Sequence, residues 1–280
     1  MRKQQWILIL SGITLLLLLY FFGNTVAPNK SVPTPEAASN APTTLTTKDV
    51  LAKYKSGLDT QQLQTITQLE NSVVRGDVRN QQIHVYHQLA SYWGDTLHRG
   101  EIGAYYDGEA AKLENSEKNL TFAAHLLVDD MMSSTDVSMQ RWLATEAKEL
   151  FDKALIINPN NDSTKIGIGV CYMFGNISEN PMQGILAIRE IADKNPDNLY
   201  AQMMLGLGGV QSGQYDKAAE RFLAVIEKQP NNIEAVLNLA GVYERLGNKA
   251  EAVKWYKRSL TLIQIPEAKK EIEERIKSLQ

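Results

Sequence analysis

Cysteine is nearly missing from this chain. Cys171 is the only one in 280 residues, so no intramolecular disulfide can form and stability has to come from packing. A surplus of positive charge is missing as well. With 29 Lys and Arg against 32 Asp and Glu the formal charge is -3, which counts against nucleic acid as a partner. Nor does any pattern assemble an active site. The strings Gly167-Ile168-Gly169 and Gly206-Leu207-Gly208-Gly209 lack the preceding strand that a phosphate loop needs. His84 and His87 lie three apart without a third ligand at a matching spacing, and His98 and His125 stand alone. Asp129-Asp130 and Glu273-Glu274 are adjacent pairs, which point in different directions on a helix and make no acid/base pair. Cys171 sits inside a helical pattern and reads as a small buried hydrophobe. The sequence therefore leads us to expect no enzyme, no cofactor and no metal.

A long apolar run occurs in one place. Trp6 to Phe22 follows a short basic start containing Arg2 and Lys3, and the next charge is Lys30. At ~1.5 Å per residue a helix of this length reaches the lower limit for crossing a bilayer. The charge bias puts the N-terminus in the cytoplasm and the rest of the chain outside it. Thr25-Val26-Ala27 offers the competing reading, a cleaved signal peptide; Pro28 directly after it and the leucine-rich run favour an uncleaved anchor. No cysteine stands directly after the run, which excludes lipoprotein processing. Residues 24–46 are rich in Pro, Ser, Thr and Ala, show no apolar periodicity, and are expected to be an extended tether.

The rest of the chain carries an internal echo. Pro196, Asn198, Ala201, Leu205, Gly213 and Ala218 return 34 residues later as Pro230, Asn232, Ala235, Leu239, Gly247 and Ala252. Gly206 returns as Ala240, Phe222 as Tyr256 and Ile226 as Leu260, so size survives where identity does not. A fixed period in this range means stacked two-helix units, each burying its apolar face against the next. Gly213 and Gly247 end first helices, and Pro230 cannot continue a second one.

These residues resemble the tetratricopeptide repeat family, which sets small residues where paired helices touch, aromatics between them and a proline at the end of each unit. Residues 199–232 follow that pattern, 233–266 follow it with the proline two places late at Pro266, and 162–198 follows it with three extra loop residues. Asn180-Pro181 is expected to start the second helix of that unit, as N-cap and first-turn proline. Upstream, Ala147, Phe151, Ala154 and Pro159 match a second helix, and 81–115 is a further candidate. The expected architecture is all-α: leading helices over 47–80, about five repeats over 81–266 in a right-handed helical-hairpin solenoid, and a polar-faced capping helix over 267–280, behind an N-terminal transmembrane helix.

The family's first helices line a concave groove. Carried over position by position, the resemblance implies contacts from Ile166, Val170, Met173, Tyr200, Met203, Leu207, Val210, Leu237, Glu244 and Arg245. The lysines and asparagines that clamp a peptide's terminal carboxylate elsewhere in the family are replaced by Ile166/Val170, Met203/Leu207 and Leu237/Gly241. What remains is an apolar, methionine-containing trough suited to a protein or peptide client. Packing against neighbouring helices is the competing reading of the same side chains. The expected function is a membrane-tethered interaction scaffold acting outside the cytoplasm on envelope proteins. A self-assembling structural protein, or an anchored enzyme built around His84, His87 and His98, stands as the alternative.

Overall fold

The computed structural model describes residues 45–75, 78–178 and 180–280. The apolar run Trp6–Phe22 and nearly all of the expected tether lie outside the described residues. Among those described, no helix is long and apolar enough to cross a membrane.

The described residues form helices joined by short turns. Two leading helices, α1 (Thr47–Lys55) and α2 (Thr60–Arg75), precede five hairpins. These pair α3 (Arg79–Ser91) with α4 (Gly100–Glu114), α5 (Glu117–Ser133) with α6 (Val137–Ile157), and α7 (Asp162–Phe174) with α8 (Met182–Lys194). They continue as α9 (Leu199–Gln211) with α10 (Tyr215–Lys228) and α11 (Ile233–Arg245) with α12 (Lys249–Leu260). Helix α13 (Pro266–Leu279) packs on α12 at the end. The first helices touch in order, α5 to α7, α7 to α9 and α9 to α11, so each hairpin buries its apolar side against its neighbours.

The sequence echo has a local cause at the starts of the last three hairpins. Asn161 Oδ1 accepts from Thr164 N at 3.1 Å, Asn198 Oδ1 from Ala201 N at 3.0 Å and Asn232 Oδ1 from Ala235 N at 3.0 Å. Each cap satisfies a backbone donor that has no partner within its helix. Between the paired helices, Gly213 (φ 73°) and Gly247 (φ 76°) take the left-handed conformation that ends α9 and α11 with little steric cost. Helix α8 starts one residue later than the sequence suggests. It begins at Met182, and Asn180 Oδ1 accepts from Met182 N at 3.2 Å, so the asparagine caps from beyond Pro181.

Small residues set the helix spacing. A Cβ on Gly206 would lie 2.6 Å from the Phe222 ring, and one on Gly169 would lie 2.6 Å from Ile188 Cγ1. The leading helices are tied in by polar contacts. Thr47 Oγ1 accepts from Trp142 Nε1 at 3.1 Å and donates to Glu146 at 2.8 Å, while Tyr106 donates to Glu70 at 2.7 Å.

The buried core falls into two clusters that meet within α9. One runs from Val50 to Ala201, the other from Met203 to Ile276, and Met204 packs against both.

Candidate docking groove

A cavity of about 590 Å³ opens on the first helices. One wall is the C-terminal end of α5, with Val128, Asp129 and Met132. The facing wall is α9, with Tyr200, Met203, Met204 and Leu207, and Val225 of α10 and Glu234 of α11 close the far side. Helix α7 packs against both α5 and α9.

The Tyr200 ring is held from behind. His125 stands edge-on to it at 5.5 Å and edge-on to Phe151 at 5.1 Å, while His125 Nε2 lies 3.0 Å from Ser163 Oγ. Burial lowers the pKa of His125, so its imidazole is neutral near pH 7. Burial also raises the pKa of the Tyr200 phenol well above the ordinary value, leaving it a neutral donor. The acids behave differently. Asp129 and Glu234 are both exposed on the rim. Loss of hydration and then the charge of Asp129 raise the Glu234 carboxyl above its usual range.

Asp129 also borders a second cleft of about 350 Å³ beside a π-helical turn, Tyr92–Thr96. Asp95, Asp107 and Asp130 line it, and so does His87, whose ring nitrogens lie 3.0 Å from Asp107 and 3.1 Å from Glu114. Burial opposes the charge on His87, but the hydrogen bonds to Glu114 and Asp107 outweigh it and raise its pKa. Asp130 is pushed up to about 6 by burial, then by Glu101 and Asp129. Among the described residues no three His, Cys, Asp or Glu side chains gather in a metal-holding group. The Cys171 thiol is fully enclosed, and burial pushes it up to about 12, so it is no nucleophile near neutral pH.

The ten side chains singled out from the sequence do not form one surface. Tyr200, Met203 and Leu207 share the cavity. Ile166 and Val170 are fully enclosed in the core, at 0% exposure. Met173 borders another depression, with Arg189 and Arg221. Val210 and Leu237 are half-buried against the second cluster. Glu244 accepts from Tyr256 at 3.0 Å and pairs with Arg275 of the capping helix. Arg245 lies over the Tyr215 ring at 5.7 Å. Sequence reasoning takes Asp129 only as half of an adjacent acidic pair and passes over Met132. The available signal is their place at the end of α5, a first helix whose repeat register the sequence leaves open.

Stacked helical hairpins with an open cavity on their first helices define a repeat-type solenoid. Residues 210–267 match the family model described as tetratricopeptide repeat. Among solved structures the chain is similar to TTC0263, a thermophilic tetratricopeptide repeat protein of Thermus thermophilus. The identity is 16%, covering 70% of this chain and 98% of that one, with a TM-score of 0.51. That likeness places the fold in the tetratricopeptide-repeat class. Two further similar structures have lower TM-scores. MamA of Desulfovibrio magneticus RS-1 is 18% identical over 67% of this chain and 96% of its own, with a TM-score of 0.43. YrrB, a tetratricopeptide repeat protein with an unusual peptide-binding site, is 18% identical over 68% and 91%, with a TM-score of 0.42.

Proposed function

We propose that the chain is a non-enzymatic docking scaffold that captures a protein or peptide segment in the groove between α5 and α9–α11. The observation that carries this reading is the cavity itself. It offers exposed Met132 of α5 facing the partly exposed Tyr200, Met204 and Leu207 of α9, with room for apolar side chains. Methionines adapt to varied shapes, which suits a surface that receives a chain segment. Met203 is only 6% exposed and supports the wall from within. The test uses Met132→Glu, on an exposed side chain, with Leu207→Glu, on a partly exposed one. Crosslinked co-purification from native cells should lose the captured partner while helicity at 222 nm stays unchanged. Undiminished capture by the double variant would sink the assignment.

The scaffold is tethered to the cytoplasmic membrane by residues 6–22 and acts on the far side of it, handling envelope proteins. The basic start followed by the run Trp6–Phe22 supports this placement. Protease added to intact spheroplasts should digest the repeats; protection until lysis would refute it.

A further inference from the structure

We propose that the groove selects a cationic segment: a bulky apolar side chain enters between Met132 and Leu207, and an adjacent lysine or arginine lies between Asp129 and Glu234. This inference rests on the groove reading above and adds the chemistry of its guest.

The charge pattern argues for it. The cavity wall holds two carboxylates and no Lys, Arg or His. Among the described residues neither Asp129 nor Glu234 makes a side-chain hydrogen bond or ion pair, although thirteen salt bridges occur elsewhere in the fold. Two like charges facing one cavity repel each other, and after burial the charge of Asp129 is the second cause that raises the pKa of Glu234. A guest cation removes that repulsion and gains charge-assisted hydrogen bonds in a partly desolvated site. The negative field continues past Asp129 into the neighbouring cleft through Asp130, Asp95 and Asp107. Among the described residues lining that cleft the one basic side chain, His87, is already held by Asp107 and Glu114. A second basic residue on the guest therefore has a place, and an acidic segment or a free terminal carboxylate is repelled along the whole face.

The test measures fluorescence anisotropy of the full chain with three labelled peptides of ~12 residues. The first has a Lys-Leu-Met-Lys core within Ser and Gly; the second replaces Lys with Glu; the third keeps Lys and replaces Leu and Met with Ser. The first should bind at least about tenfold more tightly than either other, and its affinity should fall with added salt. Asp129→Asn with Glu234→Gln should reduce its preference over the Glu peptide by about tenfold. Equal or stronger binding of the Glu peptide, an unchanged preference in that variant, or no binding of the first peptide overturns the inference. Failure of the groove reading looks different: binding of the first peptide would then survive Met132→Ser with Leu207→Ser, which removes the apolar contacts without adding charge.

Discussion

Substituting alanine for Gly184 puts the hairpin spacing to a direct test. Helices α7 and α8 cross where Gly169 faces Gly184. A Cβ on Gly184 would stand 2.3 Å from the Gly169 carbonyl oxygen and 3.0 Å from Tyr172 Cβ. Ordinary contact begins near 3.4 Å, so the two helices must part by about 1 Å, and a backbone carbonyl cannot rotate out of the way. Overpacking of this kind costs about 1–3 kcal/mol, against a gain of up to about 1 kcal/mol in helix propensity. The strain is passed on, because α7 packs on α6 and α8 on α9. Gly184→Ala should therefore destabilise the repeats by about 1–2 kcal/mol net. Gly208→Ala is the matched control. Its Cβ would meet only Met173 Cε, at 2.4 Å, the free end of a flexible side chain. That substitution should fall within about 1 kcal/mol of the parent. Urea titration followed at 222 nm should place Gly184→Ala lower by roughly 0.5–1 M at the midpoint. A midpoint at or above the parent's for Gly184→Ala, or a larger loss for Gly208→Ala, would refute the close-packing argument.

Two further outcomes concern titrating groups. Asp130 has a folded pKa near 6, above its unfolded value of 3.8, so its charge is a penalty above pH 6 that is relieved as pH falls towards 4. Asp130→Asn should stabilise the chain at pH 7.5 by about 1–2 kcal/mol, and the advantage should vanish by pH 4; an equal advantage at both pH values would reject the assignment. Cys171 is enclosed, with its thiol pushed up to about 12, so iodoacetamide at pH 8 should modify it at least about a hundredfold more slowly in the native state than in denaturant. Rapid native labelling would mean that α7 opens far more readily than its packing allows.

What was legible in the sequence was local. Asn198 and Asn232 announce hairpin starts because a cap needs only its own first turn, and Gly213 and Gly247 announce turns because only backbone freedom is at stake. Gly206 facing Phe222 follows from the period, since both repeat as Ala240 and Tyr256. The groove was less legible because exposure depends on neighbours. Ile166 and Val170 occupy family contact positions, yet α7 is packed between α5 and α9 and both side chains are enclosed. Upstream regularity fades where α6 extends to 21 residues, against 14 for α10 and 12 for α12. The same effect acts at the other end, where Arg275 of the capping helix claims Glu244 over a separation of 31 residues. Such distant pairings leave no trace in a 34-residue period.

The meeting of the two cores inside α9 makes that helix a joint. Ala201 belongs to one block and Met203 to the other, one turn from three glycines at 206, 208 and 209. The groove straddles the joint: Val128 and Met132 stand on α5 in the first block, and Val225 and Glu234 rise from the second. A guest that grips both sides acts as a splint. We expect the blocks to melt at separate temperatures without it and together when it is bound. The client would thus set the stiffness of the scaffold that holds it.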